Sequence, residues 1–142
     1  MYAGSALARA TLEGRVTLPA GTGQGRRIVL HPSFALLHGL EQYGLVEQFL
    51  CRWLGDRFCR ERDVTRSVWP AAVERPAIGL NPTLALGLAQ RRLDSLLALE
   101  PDIILTCDPF SKRVLSGLAP AGVEVQDLLV YAMDATFPAA RG

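Results

Sequence analysis

Apolar residues along the chain fall into short continuous runs separated by helical stripes. Ile28-Val29-Leu30 is a compact apolar triplet halted by His31-Pro32-Ser33, the pattern of a strand buried on both faces of a parallel sheet. From Leu40 to Leu54, Leu45, Phe49 and Trp53 recur with Val46, Leu50 and Leu54, which predicts an amphipathic helix with a wide apolar stripe. Asn81-Pro82 is a helix start, because Asn caps open backbone N–H groups and Pro suits the first helical position. The helix that follows is expected to bury Leu86, Ala89, Leu93, Leu96 and Leu97 and to turn Gln90, Arg91 and Asp94 to water. Ile103 to Thr106 is the clearest strand, followed by a helix from about Ser111 to Leu118. Val123 and Val125 predict a last strand, and Leu128 to Met133 a last helix. Leu12 to Leu18 and Val68-Trp69 each read as a short additional strand. This alternation predicts an α/β fold: a small parallel sheet of about four strands with crossover helices, in two or three layers.

Residues 1–26 read as a flexible N-terminal segment, Ala/Gly-rich and carrying glycines at 21, 23 and 25; residues 27–137 form the domain, and 138–142 a frayed tail. A chain of 142 residues with 49% hydrophobic content suits one domain with a real core. A net charge of +1 supplies no basic field, which argues against a nucleic-acid binder. No apolar run reaches the roughly 18 to 20 residues needed to span a bilayer. Met1 to Glu13 has no continuous apolar core and makes a poor export signal. Three cysteines at unremarkable spacings do not suggest a disulfide framework, so a reducing, cytoplasmic location is expected.

Ligands of open α/β sheets sit beyond the carboxyl ends of the strands. Two such ends carry polar residues next to a proline: His31-Pro32-Ser33 and Cys107-Asp108-Pro109-Phe110-Ser111. On local grounds the plainer reading is that Ser and Asp simply cap helices there. His31 and His38 lie seven apart across a proline turn, with nothing to complete a zinc set. Cys51 sits among apolar helix positions and reads as core. Cys59 lies among Arg57, Arg60 and Arg62, and reads either as a thiol activated by their charge or as an ordinary exposed one. The arginines between 57 and 66 could meet a phosphate or an acidic partner, but they are compensated by Asp56, Glu61 and Asp63, which is more often the pattern of a solvated face. No nucleophile elbow or dinucleotide fingerprint is visible.

The stretch Leu105-Thr106-Cys107-Asp108-Pro109-Phe110-Ser111-Lys112-Arg113-Val114-Leu115 resembles the last signature of the cysteine-rich CCG domain. That domain occurs in the B subunit of heterodisulfide reductase and in iron–sulfur subunits of glycolate-oxidase-type systems. Its pattern there is a strand ending in Thr, one residue, then Cys-Pro-x-Cys. Leu30-His31-Pro32-Ser33 lies where the family has an Asp-Pro-Cys turn, and Ser67-Val68-Trp69-Pro70-Ala71-Ala72 roughly where it has Cys-Cys-Gly. Pro82 to Leu99 and Val123 to Leu129 are similar to its later helix and its closing strand, so the resemblance runs from about residue 27 to 133. The departures are at the ligands. Family cysteines fall on Ser33, Asp108 and Ser111, while Cys107 sits one position before a ligand position. Iron–sulfur clusters require soft thiolates, and Ser and Asp are poor substitutes.

The resemblance therefore implies a degenerate domain with a vestigial pocket framed by Ser33, Cys107, Asp108 and Ser111. It implies no cofactor of its own, no catalysis by the chain alone, and a place as an accessory or interaction subunit beside a flavoprotein or iron–sulfur subunit. A second reading is a truncated (Fe-S)-binding oxidoreductase subunit that shares a cluster site with its partner through Cys107 or Cys59. A third is a small-molecule binding domain, since Leu96 to Leu105 also looks like a segment of cobalamin and siderophore binding proteins.

Overall fold

The computed structural model describes residues 3–19, 25–33, 36, 42–62 and 81–137. Three strands, β1 (Ile28–His31), β2 (Ile103–Thr106) and β3 (Glu124–Asp127), form a parallel sheet in the order β1-β2-β3. The register sets Ile28 beside Ile103 beside Glu124, and His31 beside Thr106 beside Asp127. Among the described residues five α-helices flank it: α1 (Ala3–Leu12), α2 (Gln42–Leu54), α3 (Pro82–Leu97), α4 (Pro109–Leu118) and α5 (Leu128–Thr136).

Successive strand side chains point to opposite faces, and this sorts the core into two clusters. Ile28, Leu30, Ile103 and Leu105 face α1, α2 and α5 through Ala8, Val46, Phe49, Leu50, Leu128 and Tyr131. Val29 and Ile104 face α3 and α4 through Ala89, Leu93, Leu96 and Leu115. The sheet is thus the middle of three layers, and β1 and β2 are buried on both sides, as their unbroken apolar runs require.

The sheet has three strands among the described residues, not four. The fourth position, on the outer side of β1, is taken by an irregular segment. Phe58 bridges Ile28 in parallel, and the Cys59 amide donates to the Ile28 carbonyl at 2.8 Å. The other candidate strand, Val68-Trp69, lies outside the described residues, as does the tail after Phe137.

The N-terminal segment differs from the sequence reading. Residues 3–12 form a helix where a linker or loop was expected, and Leu12 to Leu18 is not a strand. Ala3, Ala6, Ala8 and Ala10 favour helix, and Gly14 adopts a left-handed φ of 77° that ends it. The Gly14 amide donates to the Thr11 carbonyl and the Arg15 amide to that of Ala10, at 3.1 and 2.8 Å. This is a Schellman closure, which turns the chain back across α2. On that return Leu18 packs against the core, while Val16 stays 38% exposed.

On α3 the buried stripe is Ala85, Ala89, Arg92, Leu93 and Leu96, so Leu86, a third of a turn away, is 48% exposed. Cys51 is also exposed, since α2 buries Val46, Phe49, Leu50 and Leu54 instead. Past α3, Glu100 takes a positive φ of 55°, and the Arg27 guanidinium donates to the Leu99 and Glu100 carbonyls there. The Arg27 amide donates to Asp102 at 2.7 Å, tying the starts of β1 and β2 together. No described helix is long and apolar enough to cross a membrane.

Ile104 is an interior residue of the central strand and fully buried. Ile104→Ala is expected to cost about 2 to 5 kcal/mol in denaturant unfolding through the cavity it opens. The m-value should stay unchanged, because both folded states bury the same chain.

Candidate functional site

The carboxyl ends of the three strands carry His31, Thr106 and Asp127 side by side, followed by the turns that hold Ser33 and Asp108. Each of the predicted site residues is committed locally. Ser33 Oγ accepts a hydrogen bond from the Leu36 amide at 3.2 Å. Asp108 caps α4: one carboxylate oxygen accepts from the Ser111 amide at 2.7 Å and the other from the Ser111 hydroxyl at 2.6 Å. Ser111 is fully buried, and Cys107 is 6% exposed within the core cluster beneath α1, α2 and α5. Asp127 caps α5 in the same manner, accepting from the Leu129 and Val130 amides. Asp108 and Ser111 are thus brought together, while Ser33 and Cys107 serve other neighbours.

These residues do not fit an iron–sulfur cluster. The set offers one thiol and three oxygen-bearing side chains, the thiol is packed in the core, and both Asp108 oxygens already accept hydrogen bonds. Among the described residues no group of three His, Cys, Asp or Glu side chains is placed to hold a metal ion.

No family model, curated protein or solved structure matches the chain.

A different polar group at the same end of the sheet carries the strongest electrostatics. Because Phe58 pairs with Ile28 in parallel, Glu61 comes level with His31. Arg92, on the buried stripe of α3 and only 2% exposed, spans the two. Its guanidinium grips the Glu61 carboxylate with two hydrogen bonds, 2.6 and 2.9 Å, while its Nε donates to His31 Nδ1 at 3.0 Å. Such a bidentate pair is the strong form of charge-assisted hydrogen bond. Burial first, and the Arg92 charge second, hold the His31 imidazole well below its ordinary pKa. It is therefore neutral at pH 7, and with Nδ1 accepting, its proton sits on Nε2. That Nε2 is buried and has no hydrogen-bond partner among the described residues.

Beside this group the Tyr43 hydroxyl donates to Glu47 at 2.7 Å, and Glu47 pairs with Arg60 at 2.8 Å. Burial and the Glu47 hydrogen bond push the Tyr43 phenol upward, keeping it protonated. The thiol of Cys59 donates weakly to its neighbour's carbonyl, that of Arg57, at 3.8 Å.

The sequence reading placed His31 at a strand end, set Glu61 on a solvated face and passed over Arg92, whereas the Glu61 side chain is only 10% exposed because it pairs with Arg92. A signal was present. Position 92 falls on the apolar stripe of Ala85, Ala89, Leu93 and Leu96, and an arginine there must find a buried partner. Which partner it finds depends on the Phe58 bridge, which no local pattern announces.

Two outcomes follow from this geometry. Asp108→Ala removes a cap used twice and is expected to cost about 1 to 2 kcal/mol. Asp108→Asn, which keeps an oxygen toward the Ser111 amide, should lose less in the same urea titration.

His31 titrates from about 6.5 in the unfolded chain to a lower value when folded. The unfolded state therefore takes up the proton first. The stability due to neutral His31 is complete above about pH 6.5 and is lost as pH falls below it, by no more than about 1.4 kcal/mol per pH unit. His31→Asn keeps an acceptor for Arg92 without titrating. Its stability-against-pH curve should be flatter than wild type below pH ~6.5, and parallel curves would refute the assignment.

Proposed function

We propose that this chain is a cluster-free α/β domain of the CCG type that acts as an accessory or interaction subunit in a redox system, with no catalysis of its own. The observation that carries the reading is the Asp108–Ser111 pair. At the two positions where the resemblance expects the last thiolate ligands, the side chains bond to each other and to the first turn of α4 at 2.6 and 2.7 Å. A strand-to-helix turn that suits cysteines around a cluster is here closed by side chains of the domain itself, so the skeleton persists without the metal.

An interaction role draws further support from α5. Val130, Met133 and Phe137 are 41%, 62% and 62% exposed and recur at helical spacing on its outer side. Exposed apolar groups that form a continuous stripe favour contact with another macromolecule. A flavoprotein or an iron–sulfur subunit is the partner that the resemblance implies. The rival reading, in which Cys107 is lent to a shared cluster, has less support because the thiol is packed beneath three helices.

The decisive experiment is anaerobic reconstitution with iron and sulfide, followed by isolation under native conditions. The expected result is a colourless protein without stoichiometric iron or acid-labile sulfide. It should also co-purify from its source with a flavin- or cluster-bearing subunit, through a contact weakened by Met133→Asp. A stoichiometric cluster on the isolated chain would overturn the reading.

A further inference from the structure

A cleft of about 280 Å³ lies between α2 and the chain that returns from α1, on the opposite side of the sheet from Arg92. Its lining includes Leu12, Val16 and Leu18 from the returning chain and Phe49, Arg52 and Trp53 from one face of α2. The walls are held from both sides. The Schellman closure at Gly14 sets the course of the return, and the Trp53 indole N–H donates to the Pro19 carbonyl at 3.0 Å. Trp53 is further clamped between rings, stacked on Phe49 at 5.5 Å and tilted against Tyr131 at 5.6 Å. A preformed, mostly apolar cleft with a few convergent polar groups is the usual form of a small-molecule site.

Its charge is one-sided. Arg52 is the only charged residue in the lining, and it makes no ion pair among the described residues. Glu13, which lies in sequence between the lining residues Leu12 and Gly14, is paired with Arg15 at 2.7 Å. The aromatic floor is therefore next to a guanidinium with no ion-pair partner among the described residues.

We propose that this cleft binds a small hydrophobic monocarboxylate, with its aryl or alkyl body against Trp53 and Phe49 and its carboxylate on Arg52. Apolar burial supplies most of the affinity, and the guanidinium supplies preference for the acid over neutral analogues. The site is independent of the partner reading, since none of its lining residues belongs to the strand ends or to α5.

The test is titration of ¹⁵N-labelled protein with 3-phenylpropionate and, separately, with 3-phenylpropionamide. The indole N–H of Trp53 serves as reporter, distinguished from that of Trp69 by a Trp69→Phe variant. The acid should give a saturable shift of the Trp53 signal, and the amide should bind about three- to fivefold more weakly, the scale of one solvent-exposed ion pair. Arg52→Gln lies on an exposed position and should bring acid and amide to equal affinity. Val16→Glu, at another partly exposed lining position, should weaken the acid more than the amide. No saturable shift with the acid at millimolar concentration would overturn the proposal. Equal affinity of acid and amide for the wild-type protein, or an unchanged acid preference in Arg52→Gln, would overturn it too.

Discussion

The buried charge of Arg92 is the constraint on which the carboxyl end of the sheet depends. A guanidinium with 2% exposure cannot remain unpaired, because removing one partner of a buried ion pair costs about 3 to 5 kcal/mol. Its three anchors lie on separate parts of the chain: α3 carries it, β1 ends at His31, and Glu61 sits on the irregular segment beside β1. Satisfying one charge therefore aligns three elements at once. It fixes the rotation of α3 on the sheet, the tautomer of His31, and the path of the chain that covers the outer edge of β1. The same burial makes the group sensitive to acid, since a second proton on the imidazole would set two cations 3.0 Å apart, with the one carboxylate bound on the far side of Arg92.

A related economy governs the next strand end. A helix that begins right after a parallel strand exposes unsatisfied amides, and a side chain at that turn can serve either a ligand or the amides. Asp108 serves the amides, with the Ser111 hydroxyl taking the remaining oxygen. Asp127 does the same one strand further on. With both acids spent on capping, the end of the sheet offers little to a metal. The features left open to other molecules lie elsewhere, on the outer stripe of α5 and in the aromatic cleft beside α2.

Much of the framework was legible in local pattern. Ile28 to Leu30 and Ile103 to Thr106 had to be buried strands, because continuous apolar runs of that length fit nothing else between polar turns. The cap at Asn81, observed accepting from the Leu84 amide at 3.1 Å, follows from the residue types alone. The helix over residues 3–12 was legible in principle, from alanines ending in Leu12-Glu13-Gly14. It was obscured by reading the later glycines as a signal for the whole segment. The local bonds of Ser33 and Asp108, to the amides three residues on, were also readable from residue type.

What the sequence by itself determined is the set of local solutions: where strands and helices lie, where they are capped, and which faces are apolar. These depend on contacts within a few residues, so periodicity and residue type report them. Only the tertiary structure decided that an edge position would be held by Phe58 to Glu61 without a strand, that Arg92 would meet His31 and Glu61, and that Trp53 would close a cleft with Val16 and Leu18. Those juxtapositions join residues tens of positions apart. A lone buried charge or an apolar turn in the sequence states that a partner is required, and only packing of the whole chain selects which one.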